Sequence, residues 1–358
     1  MANGAEQGRT GIRLVTAADR AALLDFLKAH WSAQHVFVRA PDLFDWQYAG
    51  EADGLNMILA QNGTAIHAVL GFIPMGRFDP DLGQADVMLS VWKAQPEAPP
   101  GIGLFLLKTL ATKLKSRLMG AIGITEEVKP LYRALGFSLG DLHQAALFNP
   151  DAPQQRIAAG VPAAAFAGSP GSAGHWSLRR CTASEVVALA PVLDRLGRSG
   201  LPQKSAAYVT ARFLQHPWYD YHCGLVCRDG EPDALCVWRE VRAEGASILR
   251  IVDIIGDTGW LAAGKALLQP LLRETGADYI DLMQLGTPAE VLSAGGWLSP
   301  DTCPGLVLPN YFAPFERRTI TISCAWKLRE PTDLPLRLYR ADSDQDRPNE
   351  VPLPRRQG

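Results

Sequence analysis

One plan of elements is written twice along this chain, and a repeat of that size restricts the architecture more tightly than any local propensity. Ile12-Arg-Leu-Val-Thr16-Ala-Ala-Asp19 leads into a helical pattern over residues 21–31, and Trp176-Ser-Leu-Arg-Arg-Cys-Thr182-Ala-Ser-Glu185 leads into another over 186–196. Each copy puts Thr at an N-cap with an acid three residues later, a capping-box arrangement that is complete in the second copy and shortened to Asp in the first. Strands follow at 56–61 and 65–72 around an Asn62-Gly63 turn, and at 224–227 and 234–241 around Asp229-Gly230. Asn-Gly and Asp-Gly favour hairpins because both residues tolerate positive φ. A third strand (86–93; 247–256), an amphipathic helix (104–118; 265–274), a further strand (120–125; 278–285) and a short helix ending in Gly136-Phe137 or Gly296-Trp297 complete each copy.

The expected fold class is therefore α/β of the α+β kind: two tandem domains, each a mixed, mainly antiparallel twisted sheet flanked by helices. At 358 residues the chain exceeds what one core normally serves. The expected division is a first domain at 1–150, an Ala/Gly/Pro-rich linker at 151–175, a second domain at 176–330, and a C-terminal strand and tail at 331–358. A formal net charge of -2 gives no electrostatic commitment to nucleic acid. The first ten residues lack the apolar core of a signal peptide, and no apolar run approaches the roughly 20 residues of a membrane span, so a cytoplasmic protein is expected. The six cysteines, all in the C-terminal half, form no CxxC pair and read as reduced thiols. HExxH and GxSxG are absent, which removes the usual signatures of zinc proteases and hydrolases. Asp342-Ser-Asp344-Gln-Asp346 begins like a calcium loop, but Arg347 replaces the required Gly and Leu353 the bidentate Glu, so no metal site is expected.

The segment richest in chemistry is Glu97-Ala-Pro-Pro-Gly101-Ile-Gly103-Leu104, where a glycine-bearing turn leaves a strand and opens a long helix. Such a turn crowds backbone N–H groups around an anion, and the helix dipole adds to them. Two readings stand: a pyrophosphate site, or a strand-to-helix turn that needs a flexible backbone. A dinucleotide GxGxxG does not fit, since Leu106 takes the third glycine position and the sheet before it is antiparallel. The equivalent stretch of the second copy, Asp257-Thr-Gly-Trp-Leu-Ala-Ala-Gly264, has no compact GxG.

Gly120-Ala-Ile-Gly-Ile-Thr125-Glu-Glu-Val-Lys-Pro-Leu131-Tyr132-Arg-Ala-Leu-Gly136-Phe137 resembles the second conserved motif of the GNAT N-acyltransferases, and Gly101-Ile-Gly103 resembles their pyrophosphate turn. The chain departs from that pattern at Ala98, where the family usually has Gln or Arg. In the C-terminal half, Pro202-Gln-Lys-Ser205, Arg212-Phe-Leu-Gln-His216-Pro217-Trp-Tyr219-Asp-Tyr221, Ile251-Val-Asp253, Pro309-Asn310-Tyr311-Phe312 and the run from Ala341 to Asn349 resemble tandem GNAT-fold proteins of bacterial surface-polysaccharide synthesis. The resemblance implies an acyl-coenzyme A-dependent N-acyltransferase, one coenzyme per chain, acting on the amino group of a nucleotide-linked deoxy-amino sugar. Acylation of an aminoacyl or peptide amine is the enzymatic alternative, and a non-catalytic binding or scaffold protein is the other.

The resemblance places acetyl-CoA along Ser90, Val91 and Trp92 and against Gly101, Ile102, Gly103 and Leu104, with a backbone N–H of that strand facing the oxyanion. It implies that Tyr132 protonates the departing thiolate; a Tyr packed in the core is the other reading. A proton must leave the acceptor ammonium, and His35 is the candidate base with Asp45 behind it, because His titrates near neutrality. Glu126 and Glu127 read as acids complementing a helix N-terminus. The candidate acceptor-binding residues are Trp46, Tyr48, His216, Tyr219, Asp253, Asn310, Tyr311 and Arg347. A carboxylate between Ile and Val at Asp253 requires a partner or a ligand beside it. The run 342–349 is expected either to fold back with Arg347 paired to a carboxylate or the diphosphate, or to remain a solvated tail.

Overall fold

The computed structural model describes residues 10–167, 171–349 and 351, so the first nine residues and most of the last eight lie outside it. The first copy runs β1 (Gly11–Val15), α1 (Arg20–His30), α2 (Val36–Arg39), α3 (Pro41–Tyr48), β2 (Leu55–Asn62), β3 (Ala65–Pro74), β4 (Asp86–Ala94), α4 (Ile102–Leu114), β5 (Leu118–Ile124), α5 (Lys129–Ala134) and β6 (Ser138–Phe148). The second runs β7 (Trp176–Cys181), α6 (Ala183–Ala188), α7 (Ala190–Gly197), α8 (Ala206–Val209), β8 (Tyr221–Arg228), β9 (Glu231–Ala243), β10 (Ala246–Gly256), α9 (Gly264–Thr275), β11 (Tyr279–Leu285) and α10 (Ala289–Ala294). A small hairpin of β12 (Tyr311–Phe312) and β13 (Phe315–Glu316) follows, then β14 (Ile322–Leu328) and β15 (Leu338–Tyr339).

The two capping boxes and the second hairpin turn act as expected. Asp19 accepts the Thr16 N–H at 2.8 Å, and in the second copy Glu185 accepts the Thr182 N–H at 2.9 Å while the Thr182 hydroxyl accepts the Glu185 N–H. Asp229 and Gly230 both take positive φ, 50° and 86°, the pair of values a two-residue hairpin turn needs. The first hairpin turns one residue later than expected: Asn62 still pairs with Ala65, so Gly63 and Thr64 make the turn. Helix α4 stops at Leu114, short of the expected residue 118, because Lys115 takes a left-handed conformation and ends it.

Among the described residues every strand except β12 and β13 belongs to one sheet of 13 strands, ordered β1-β2-β3-β4-β5-β14-β6-β11-β10-β9-β8-β7, with β15 added beside β11. The two copies are joined by exchange of their closing strands. β14 lies antiparallel to β5 (Ala325↔Ala121), β6 lies antiparallel to β11 (Ala145↔Leu282), and the two exchanged strands pair with each other (Leu139↔Ala325). The sequence boundary at 151–175 is thus no seam in the sheet, since β14 crosses back into the first copy. Nor is that segment a free linker: Ile157 and Ala158 are buried in a cluster with Leu306 and Leu308, and Ala159 bridges Val307. Gly160 is held at φ 65°, with its would-be Cβ 1.9 Å from the Gly305 carbonyl oxygen, so only glycine allows that approach.

On one face of the first copy, α4 and α5 bury Leu106, Leu110 and Tyr132 against Ile58, Leu70 and Val87. On the other face, α1 to α3 and α6 to α8 share a single core that contains Phe37, Tyr48, Leu193, Tyr208 and Ala341. Helix α9 covers the remaining face of the second copy through Leu268 and Leu272. Among the described residues no helix is long and apolar enough to cross a membrane.

After β15 the chain runs between the two copies, and buried charge fixes it there. Lys204 reaches Asp253 at 2.5 Å and Asp342 at 2.6 Å, with all three side chains almost fully enclosed. Asp253 thereby has the partner its apolar setting requires. Burial works against the Lys204 ammonium, but the two carboxylates outweigh it and hold its pKa above the ordinary range. Arg212 donates to the carbonyls of Ala341 and Ser343, Asp346 accepts from Arg239 at 2.9 Å and from the Tyr221 hydroxyl at 2.6 Å, and the Ser343 hydroxyl donates to the Leu89 carbonyl of β4 at 2.8 Å. Removing the cation from such a group strands two buried carboxylates. Lys204→Met is expected to cost about 3–5 kcal/mol in urea unfolding, and a loss below about 1 kcal/mol would show that the network does not hold this segment.

Candidate active site

The parallel pairing of β4 with β5 runs from Asp86↔Leu118 to Leu89↔Ala121 and stops. At that point β4 bulges, so that Gly71 of β3 stands opposite both Ser90 and Val91, and the local twist a bulge imposes separates the two strands. Ser90–Trp92 and the end of β5 then wall a cleft of about 200 Å³. Gly71 is there because the Tyr48 hydroxyl and Ser90 Oγ meet at 2.9 Å above it, and a Cβ would come within 2.8 Å of both side chains. Tyr48 is fully buried, and burial, aided by the Asp344 charge, raises its phenol pKa well above the usual value. It supports Ser90 from behind and does not face the cleft as a stacking platform.

The turn into α4 has the form an anion needs. Gly101 caps the helix at φ 78° and the Ile102 N–H is used by the Pro99 carbonyl, while the N–H groups of Gly103 and Leu104 meet no acceptor among the described residues. Gly103 lies against the Trp92 indole, whose Nε1 would sit 3.0 Å from an added Cβ. Trp92 in turn meets Tyr132 edge-on at 5.7 Å, and Tyr132 meets Phe137 edge-on at 5.0 Å. The Tyr132 ring is core, which is one of its two sequence readings, and its side chain also lines the cleft. Its hydroxyl has no hydrogen-bond partner among the described residues, and burial raises its pKa, so the phenol stays protonated.

The C-terminal segment forms a further wall of the cleft. Asp344, Gln345 and Arg347 line it together with Trp31, and Arg347 Nε donates to Asp344 at 3.1 Å. The segment therefore folds back, with Arg347 paired to a carboxylate. Gln345 packs on Gly123, where a Cβ would lie 2.4 Å from its amide nitrogen. Asp344, Gln345 and Trp31 were not among the candidates. Gly123, inside a strand, was the one local sign of a close approach.

His35 does not serve as expected. Its Nδ1 accepts the Phe37 N–H at 3.2 Å and caps α2, which leaves the proton on Nε2, a nitrogen with no partner among the described residues. Burial and then the Arg347 charge, partly opposed by Asp344, push its pKa down to about 4. A ring that already carries its proton on the free nitrogen and resists a second one is a poor base. Asp45 does not stand behind it, because Arg20 holds it on the half-exposed face of α3 at 2.6 Å. Glu126, at the end of β5, pairs with Lys129 at 2.5 Å, and Glu127 is exposed, held below the usual carboxylate range by the Thr125 hydroxyl.

Of the acceptor-binding candidates, Arg347 alone lines the cleft. His216 shapes its loop, its Nδ1 accepting the N–H groups of Trp218 and Tyr219 at 3.0 Å, with its ring stacked on Tyr219 at 5.1 Å and edge-on to Trp46 at 4.4 Å. Asp253 belongs to the Lys204 network. Asn310, Tyr311 and Tyr219 border a separate cavity beside β9 and β10, which Arg347 also borders.

The second copy repeats the strand separation but fills it. β10 and β11 pair in parallel over Leu249↔Ile280 to Ile251↔Leu282, and β15 then takes the space beside β11 through Leu285↔Leu338 and Gln284↔Tyr339. Its turn is closed as well. A 3-10 helix spans Gly259–Ala263, and the Lys265 N–H at the start of α9 goes to the Gly295 carbonyl.

This geometry is that of a known fold. Among solved structures, the chain is similar to a GCN5-related N-acetyltransferase from Anabaena variabilis, with 14% identity over 89% of this chain and 73% of that one and a TM-score of 0.54. It is similar also to a GCN5-related N-acetyltransferase from Kribbella flavida (10% identity, 90% and 71% covered, TM-score 0.52). A conserved protein of unknown function from Enterococcus faecalis is a third (10% identity, 88% and 72% covered, TM-score 0.52). At these identities the likeness establishes the GNAT fold. No family model matches the sequence, and no curated protein matches it.

The depressed pKa of His35 has a measurable sign. The group contributes stability above its unfolded pKa of about 6.5, and that contribution is lost as pH falls toward 4. His35→Asn keeps a capping acceptor and removes the titration, so the slope of unfolding free energy between pH 6 and 4.5 should differ from the parent's by about 1.4 kcal/mol per pH unit. Parallel slopes would show that His35 is protonated in the folded protein.

Proposed function

We propose that this chain is an acyl-coenzyme A-dependent N-acyltransferase whose one coenzyme site is the cleft between β4 and β5. The observation that carries the reading is the pairing of an open strand separation with an unengaged helix N-terminus in the first copy, both of which are closed in the second. The residues present fit the coenzyme: the Gly103 and Leu104 N–H groups suit a pyrophosphate, and the edges of β4 and β5 suit the amide-bearing arm that leads from it to the thioester. Ala98 removes one side chain the family uses there and leaves the backbone donors in place.

The chemistry assigned to the cleft is direct transfer between two bound reactants, which gains chiefly from holding them in register. Tyr132, kept protonated by burial, donates to the departing thiolate. Asp344 replaces His35 as the group that receives the acceptor's proton, since it is the carboxylate at the cleft wall and a water suffices to bridge it. A β4 N–H between Ser90 and Trp92 faces the developing oxyanion. The acyl group is acetyl and the acceptor a nucleotide-linked amino sugar in this reading. Support for the sugar comes from the resemblance of 202–221 and 341–349, which are the segment at the cleft and the residues that anchor it.

Two variants separate binding from turnover. Leu104→Asp places an acid in the first turn of α4, which favours the helix and repels a phosphate, so acetyl-CoA affinity should fall about tenfold or more in calorimetry with no loss of Tm. Tyr132→Phe should lower kcat about 100-fold while acetyl-CoA binds within about threefold of the parent. No acetyl-CoA binding by the folded parent, or a Tyr132→Phe variant with undiminished turnover, would contradict the reading.

A further inference from the structure

Five arginines border the cavity beside β9 and β10, which measures about 330 Å³. Four of them are matched. Arg239 Nε lies 2.9 Å from Asp346, Arg250 Nη2 lies 2.6 Å from Asp281 and also reaches the Pro309 carbonyl, Arg242 at the exposed rim pairs with Glu240, and Arg347 pairs with Asp344. Arg340 is different. It is 3% exposed, its nearest carboxylate oxygen among the described residues is Asp346 Oδ1 at 3.7 Å, and Arg239 already holds that carboxylate at 3.0 Å. Its Nη1 rests on the Met283 sulfur at 3.3 Å, and its Nε has no hydrogen-bond partner among the described residues.

Among the described residues the buried walls thus carry three guanidinium groups, Arg239, Arg250 and Arg340, against two carboxylates, Asp346 and Asp281. An enclosed cation without its own counter-ion is expensive, and burial, followed by the charge of Arg250, lowers the Arg340 pKa to about 10. The Tyr311 ring lies under Arg340 at 5.5 Å, which fixes the plane of the guanidinium without neutralising it. Asn310, fully buried in the same wall, leaves its Oδ1 without a partner.

We infer that this cavity is an anion site in which Arg340 takes a phosphoryl group of the acceptor substrate. A guanidinium with open donors suits the oxygens of a phosphate, and Asn310 Oδ1 remains to accept from a hydroxyl beside it. The site adjoins the cleft: Arg347 borders both, and the Tyr311 hydroxyl donates to Oε1 of Gln345, a cleft residue, at 3.4 Å. An acceptor anchored here by its phosphate would reach past Arg347 with its amine. That role rests on the acyltransferase reading, whereas the anion site stands without it.

The test titrates inorganic pyrophosphate, inorganic phosphate and acetate into the full chain, each beside Arg340→Met, Arg242→Glu and Leu104→Asp. The parent should bind pyrophosphate and gain Tm from it. Arg340→Met should lose the share of both effects that Leu104→Asp retains, keep its acetyl-CoA affinity, and unfold without anion at a temperature no lower than the parent's, because the unmatched charge is gone. Arg242→Glu, at an exposed position, should weaken pyrophosphate about tenfold whether or not Arg340→Met folds. Leu104→Asp should retain this binding, which separates it from the α4 turn. Pyrophosphate bound equally well by Arg340→Met and by Arg242→Glu, no binding by the parent, or acetate bound as tightly as pyrophosphate would overturn the inference. A parent that binds pyrophosphate but not acetyl-CoA would keep the anion site and remove the acyltransferase.

Discussion

Buried charge holds residues 341–347 between the two copies of the fold, and the candidate active site depends on it. Lys204, Arg212 and Arg239 all belong to the second copy, and together they grip Asp342, the Ala341 and Ser343 carbonyls and Asp346. The same short run then presents Asp344, Gln345 and Arg347 to a cleft made by β4 and β5 of the first copy. Neither copy is complete alone: one supplies the strands and the helix turn, and the other supplies the clamp for the segment that forms a further wall. The segment leaves β15, which is itself paired with β11 of the second copy, after β14 has been paired into the first.

The contrast between the copies follows from where the chain goes after β14. Parallel strands that separate at a bulge leave backbone N–H and C=O groups needing partners. In the second copy β15 supplies them, and the turn before α9 uses its own donors on the chain. In the first copy the equivalent edge stays open and the α4 turn stays unengaged. Among the described residues, one of the two similar separations is thus paired by β15 and the other is not.

Much of this was legible in the sequence, for reasons that can be stated residue by residue. The capping boxes at Thr16 and Thr182, the Asp229-Gly230 turn and the α4 glycines are local, and local signals carry their own physics. The repeat extended them to a fold class. The insertion of β14 between β5 and β6 was not legible, since it pairs residues some 200 positions apart and leaves no local trace. For the same reason Asp253 announced a need for a partner without naming Lys204, and the acidic run at 342–346 read as a failed metal loop when it is a strap with one acid facing Lys204, one Arg347 and one Arg239. His35 misled because residue type suggested a base, while its N-cap bond to Phe37 had already fixed the tautomer. The unmatched charge on Arg340 emerges only when three arginines and two aspartates from separate elements are brought to one wall.

The central claim is that the chain binds one acyl-coenzyme A, in the first copy. Hydrogen exchange read by mass spectrometry with and without acetyl-CoA addresses it directly. The account predicts slowed exchange at residues 88–94 and 101–106, with no change over the equivalent stretches at 251–256 and 259–268 of the second copy. Protection of the second copy, or none in either, would contradict it.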